Sequence, residues 1–244
     1  MLHRKQAVWG GLTCHVVWRS ASPTLGVVLC HGFGAPGTDL VPLGEELLRH
    51  DERLARAVQF VFPEAPLSLK DWGYPQGRAW WHLDLERFQR LLAAGELSEV
   101  RNTCPAELPA ARQALLALVD EWSVSTGLPA ERCVLGGFSQ GGMLSIDVAL
   151  HAPVSPAGLA VLSGSLINER EWRSRAAARA GLPVFQSHGQ YDCVLPFVTG
   201  TWVRDLLRSA GCEVEFVEFP GGHEIPWNVL SRLAEFLARG AAAE

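Results

Sequence analysis

The segment Gly137-Phe138-Ser139-Gln140-Gly141 has the residue types and spacing of a nucleophilic serine site. It follows the apolar run CVLGGF (133–138) and opens a stretch with helical periodicity, so it reads as strand, sharp turn and helix. A serine on such a turn projects its hydroxyl, and glycines two residues to either side remove side chains that would collide there. A serine hydroxyl is a weak nucleophile near neutral pH. It needs a base, itself held by an acid. Three histidines, His151, His188 and His223, follow Ser139. His151 lies about 18 Å along the following helix, at 1.5 Å per residue, and is excluded. His188 ends an apolar strand and is expected to hydrogen-bond its own loop. His223, in FPGGHEIP between the last strand and the last helix, stands at the sheet edge where sites gather and is the expected base. Asp192, in SHGQYDCVLP directly after the penultimate strand, is the expected acid; Asp147 and Asp205 fall inside helices.

Acyl chemistry also needs an oxyanion hole, where each donor contributes about two to three orders of magnitude in rate. The backbone N–H of Gln140, at the positive end of its helix, is one expected donor. The second is the N–H of Phe33 in the loop His31-Gly32-Phe33-Gly34, where His31 is expected to brace the turn. Gly32 to Gly37 also matches the GxGxxG of dinucleotide sites. Pro36 has no N–H to offer a phosphate, however, and His31 interrupts the strand-to-turn junction. That reading also leaves Ser139, Asp192 and His223 without a role.

The elements that must position these residues alternate in a regular way. A hairpin is expected over 6–18, turning at Gly10-Gly11, followed by a buried strand at 25–30, a helix near 39–49 and a strand at 58–62. Residues 63–104 break the pattern with Pro, Gly and Trp72, Trp80 and Trp81, and hold one helical piece near 84–94. Alternation resumes with a helix at 106–126, strand 133–138, helix 141–151 and strand 157–164. A polar stretch, strand 182–189, helix 199–210, strand 213–219 and helix 226–239 follow, with a frayed alanine-rich tail after Arg239. The order implies an α/β fold with a mostly parallel, doubly wound sheet and an N-terminal antiparallel hairpin. One domain over 1–244 is expected, with 63–104 as a cap or lid-like insertion.

The 244 residues are 48% hydrophobic and 19% charged with a formal net charge of -5, which sets aside disorder and a basic nucleic-acid-binding face. No apolar run reaches the roughly 18 residues of a membrane span, and no secretory h-region opens the chain. Six scattered cysteines read as reduced, buried thiols of a cytoplasmic protein rather than a disulfide framework. No CxxC, HExxH or EF-hand spacing occurs, so no metal is expected.

The segments LCHGFGAPGTDL, FPEAP, RAWW, GGFSQGGMLSI, SHGQYDCVLP and PGGHEIP, in this order over roughly 25–228, resemble the phospholipase/carboxylesterase group of α/β-hydrolases. That group includes acyl-protein thioesterases, lysophospholipases and small bacterial carboxylesterases. The resemblance implies an α/β-hydrolase fold and Ser139, Asp192 and His223 as a triad. It further implies the amides of Phe33 and Gln140 as the oxyanion hole, and no cofactor. The implied partner is a small-molecule ester or thioester, lipid-like molecules among them. The chain departs from the group in the added length of LERFQRLLAAGELSEVRNTCPAEL. Leu85, Phe88, Leu91 and Leu92 give its helix one apolar face, which either lines an acyl groove or docks the segment on the core. With Trp80 and Trp81, Leu85 and Phe88 are the expected pocket residues, one tryptophan at least serving as packing. Two other classes stay open on these residues: an acyltransferase on the same scaffold, and a non-catalytic ligand-binding protein. The state of assembly, monomer or homodimer, is not readable.

Overall fold

The computed structural model describes residues 1–242. β1 (His3–Trp9) and β2 (Leu12–Trp18) form the leading hairpin, and Gly10 and Gly11 take the positive φ of 58° and 73° that a two-residue turn requires. β3 (Leu25–Cys30) and β4 (Val58–Pro63) are buried at every position, as strands covered on both faces must be. Between them lie α1 (Val41–His50) and α2 (Glu52–Ala57). The sequence shows no periodicity for α2 because six residues are too few. Its signal is a cap: the Asp51 side chain accepts from the Arg53 and Leu54 amides.

The irregular excursion after β4 pairs two-residue strands, β5 (Leu67–Ser68) with β6 (Arg78–Ala79), and then forms α3 (Leu85–Ala93) and α4 (Leu97–Asn102). α4 lacks an apolar stripe, Val100 being its buried residue, so nothing in the sequence announces it. The chain continues through α5 (Leu108–Thr126), β7 (Cys133–Phe138), α6 (Gln140–His151) and β8 (Gly158–Leu162). The expected polar stretch before the next strand is in fact a helix, α7 (Glu169–Ala176). Trp172 and Ala176, one turn apart, face inward and the rest is charged or polar, which hides the helix from a periodicity argument. β9 (Pro183–Gly189), α8 (Phe197–Ser209), β10 (Glu213–Phe219) and α9 (Trp227–Ala242) complete the order. α9 runs on to Ala242, so the residues just after Arg239 are helical rather than frayed. Residues 243–244 lie outside the described residues.

The eight-stranded sheet has the order β1-β2-β4-β3-β7-β8-β9-β10. β2 is antiparallel to both β1 and β4, and every pairing from β4 to β10 is parallel. Alternate residues of β3 feed the two faces: Val28 and Cys30 join the core under α5, α6 and α8, while Val27 and Leu29 join the one under α1, α2 and α9. This is the doubly wound, mostly parallel arrangement that the element order implies. Because the strands are parallel, the loops after β3, β7, β9 and β10 all leave from one edge, and they carry His31 to Gly34, Ser139, Asp192 and His223.

Cys14, Cys30, Cys133 and Cys212 are buried free thiols, and burial pushes Cys14 and Cys133 up to about 12, which makes them inert as nucleophiles. Cys104 and Cys193 are free but exposed, contrary to the expectation of uniform burial. Among the described residues no helix is long and apolar enough to cross a membrane.

Candidate active site

Ser139 stands between β7 and α6 with φ 55° and ψ −118°, a region that residues with a side chain rarely enter. Its surroundings hold it there: its N–H donates to Leu162 O at 2.8 Å on the adjacent strand, and its carbonyl accepts from the Met143 amide at 3.1 Å. The flanking glycines are required by β3. A Cβ on Gly141 would stand 2.0 Å from Cys30 O, and one on Gly137 2.5 Å from the same oxygen. The collision the glycines avoid is thus with the neighbouring strand and, for Gly137, equally with the backbone of Gly141 across the turn, 2.5 Å away.

Asp192 is buried, and its two oxygens have separate tasks. Oδ1 accepts from the amides of Val194 at 2.9 Å and Leu195 at 2.8 Å. Oδ2 accepts from His223 Nδ1 at 2.7 Å. Burial pushes the carboxyl up, but the His223 hydrogen bond and the amides outweigh it and hold Asp192 below its ordinary value. With Nδ1 donating to a carboxylate, His223 keeps Nε2 as its basic nitrogen. Its ring lies against Phe138, centroids 4.7 Å apart, which sets it beside the elbow.

The loop after β3 presses on the same spot: a Cβ on Gly32 would lie 3.4 Å from Ser139 Cβ. Gly34 N–H is spent on Arg78 O at 2.9 Å and Ala35 N–H on Gly32 O at 3.4 Å, and the Phe33 amide makes no such bond among the described residues. The Gln140 amide is in the first turn of α6, where amides lack intrahelical partners. His31 braces this loop. Its Nε2 accepts from the Ala65 amide at 3.1 Å, which puts the ring proton on Nδ1, 2.8 Å from Gly32 O. Burial pushes His31 down and keeps it neutral.

The Gln140 side chain has a role that no sequence signal gives. Its Oε1 accepts from the Trp80 amide at 2.9 Å and its Nε2 donates to Trp81 O at 2.9 Å, so the first residue of the elbow helix clamps the base of the excursion. Trp80 also donates from Nε1 to His31 O at 3.0 Å and is wholly buried. It is therefore packing behind the site, not a wall of the pocket as expected. Trp81 and Phe88 do line a cavity of about 230 Å³, together with Leu91, Met143, Ile167 and Leu195 and the polar residues His82, Asp84 and Arg87. The Leu85 side chain lies outside the described residues. The sequence does not single out Met143 and Leu195; the usable signal is that Met143 stands four residues after Ser139, on the same helix face. His151 and Asp147 are engaged elsewhere: His151 Nε2 lies 2.7 Å from Glu171, and Asp147 accepts from Arg112 and Trp172. Among the described residues no group of three or more His, Cys, Asp or Glu is placed to hold a metal ion.

The chain is similar to known proteins over most of its length. The model of the phospholipase/carboxylesterase family matches residues 13–240. Acyl-protein thioesterase 1 of Neurospora crassa is 30% identical over 223 residues, covering 89% of this chain and 87% of that protein. A probable carboxylesterase of Oryza sativa subsp. japonica is 29% identical over 217 residues, 86% of this chain and 76% of that protein. The crystal structure of esterase PE8 superposes with a TM-score of 0.76 at 25% identity, covering 98% of each chain.

Proposed function

The chain belongs to the phospholipase/carboxylesterase family and is a carboxylic ester hydrolase of the serine type, and on that basis we propose that Ser139, His223 and Asp192 are its catalytic triad. Ser139 Oγ attacks the acyl carbonyl carbon while His223 Nε2 takes its proton. Asp192 steadies the imidazolium, and the amides of Phe33 and Gln140 receive the developing oxyanion. His223 then returns the proton to the leaving alcohol or thiol. Water, losing a proton to the same imidazole, attacks the acyl-enzyme, and the acid departs with Ser139 restored. The observation that carries this reading is the bond from His223 Nδ1 to Asp192 Oδ2, made beside a serine held at φ 55°.

The cavity beside Met143 and Leu195 receives the acyl group. At about 30 Å³ for a water-sized group, its volume of about 230 Å³ takes an acyl chain of about eight carbons. Longer chains project past His82 and Arg87. Esters and thioesters of medium-chain acids are thus the proposed substrates, turned over in the cytoplasm without a cofactor by one domain spanning 1–244. Intact mass after brief exposure to a fluorophosphonate tests the triad. One adduct on the parent and none on a folded Ser139→Ala variant are expected, and no adduct on the folded parent overturns the reading.

A further inference from the structure

Asp192 Oδ2 faces two imidazoles: His223 Nδ1 at 2.7 Å and His188 Nε2 at 3.5 Å. His188 is fully buried at the end of β9, and its Nε2 lies 2.8 Å from Leu195 O. Both atoms before Nε2 are acceptors, so the ring proton belongs there, donated to Leu195 O. Nδ1 is then a bare acceptor, buried without a hydrogen-bond partner among the described residues. It turns toward α8, where Gly200 makes the room: a Cβ on that residue would stand 2.4 Å from Nδ1. Phe197 lies nearly edge-on to the ring, with centroids 6.1 Å apart. Burial pushes His188 down, and His223 adds to this, while the Leu195 carbonyl and Asp192 pull the other way; the net direction is down, toward the neutral ring.

We infer, on the reading of Ser139, His223 and Asp192 as the triad, that His188 is a positioning residue: a neutral Nε2–H imidazole that fixes Leu195, and through it the carboxylate of Asp192. The chain of contacts is short. His188 holds the carbonyl of Leu195, and the N–H of the same residue, with that of Val194, holds Asp192 Oδ1. With Oδ1 pinned, Oδ2 is aimed at His223. The Nε2–H dipole also stands beside Oδ2 and favours the ionised carboxylate without neutralising it. A charged ring would instead pair with Oδ2 and compete with His223 for it. The titratable groups packed on His188 are Asp192 from its own loop and His223 from the loop after β10, whereas α8 presents Gly200 and Phe197.

Two variants of His188, the Asp192→Asn background and one spectrum test this. His188→Gln keeps an N–H near the position of Nε2, and His188→Leu removes it at similar volume. His188→Leu is expected to lower kcat about a hundredfold with KM changed by less than about threefold, as a slight misplacement of catalytic groups does. His188→Gln should recover to within about tenfold of the parent. In His188→Leu the acid limb of the kcat/KM profile should move to lower pH, because a carboxylate no longer aimed at His223 holds the proton on that ring less strongly. In an Asp192→Asn background His188→Leu should cost less than about threefold, since it acts through that carboxylate. Equal losses in the Leu and Gln variants, an unmoved acid limb, or full additivity with Asp192→Asn overturns the role of His188. If the Leu variant does not fold, nitrogen NMR of the parent decides. A neutral ring at neutral pH with Nε2 protonated supports the role, and a charged or Nδ1-protonated ring overturns it. Parental kcat in Asp192→Asn would instead overturn the triad and this role together, whereas an inactive Asp192→Asn beside a fully active His188→Leu overturns the role alone.

Discussion

Replacing Gln140 by methionine separates the two tasks of that residue. Methionine keeps the length and nearly the volume of the side chain, so the change falls on hydrogen bonds rather than on a cavity. The amide of Trp80 and the carbonyl of Trp81 lose their partners in a buried setting. Each bare buried group costs about 1–3 kcal/mol, so the pair costs about 2–6 kcal/mol. For a chain of 244 residues each kcal/mol lowers Tm by about 2–4 °C, and the expected fall is about 4–24 °C. The proposed oxyanion donor is the backbone N–H, which methionine supplies equally. On an acetyl ester, assayed well below Tm, kcat should stay within about tenfold of the parent, since losing a donor costs about a hundredfold or more. On an octanoyl ester KM should rise, because Trp81 lines the cavity. Urea and thermal unfolding with Michaelis kinetics on both esters read all of this. A stability loss below about 1 kcal/mol would refute the clamp. A hundredfold loss of kcat on the acetyl ester would refute the division between side chain and backbone.

The strained φ of Ser139 predicts that Ser139→Gly, although inactive, is more stable than Ser139→Ala by about 1 kcal/mol. Denaturant midpoints compare the two, and an alanine variant equal or superior in stability contradicts the strain. At acid pH the network around α7 should fail in a defined window. Glu171 is held down to about 2 from its ordinary 4.5, chiefly by the His151 side chain and then by Asn168. A depressed carboxyl stabilises fully above its unfolded value and loses that contribution as pH falls through its folded one. The stability difference between the parent and Glu171→Gln should therefore be constant above the ordinary value, shrink below it, and vanish near the depressed one. Unfolding midpoints at stepped pH check this, and a difference that persists at the lowest pH contradicts it.

The parts of the molecule legible in its sequence are those where physics leaves few choices. Strands such as Leu25–Cys30 and Val58–Pro63 must be apolar throughout because both faces are covered, and they stand out for that reason. Ser139, Asp192 and His223 could be grouped because each follows a strand of a parallel sheet, and parallel strands end at one edge. Illegible elements were short or mostly polar: α2 is announced by Asp51 alone, and α7 by Trp172 and Ala176. Trp80 and Trp81 could not be told apart because adjacent residues diverge, and only the path fixed by Gln140 decides which one meets the cavity. The sequence marks His188 as a brace for its own loop, which its bond to Leu195 is. Its place against Asp192 depends on how that loop folds back, which no local pattern encodes.

The clamp at Trp80 and Trp81 has a consequence for how such an enzyme changes its diet. The helical half of the excursion is fastened at its start to the helix that begins beside the nucleophile. At its far end Thr103 O accepts from the Asn168 amide and Asn102 accepts from the Arg170 amide. Between these moorings, residues 83–101 supply Phe88, Leu91 and Val100 to the cavity but none of the proposed triad or oxyanion donors. Exchanging that span between the two fastenings is the expected route to a new acyl preference with the proposed reactive centre left in place.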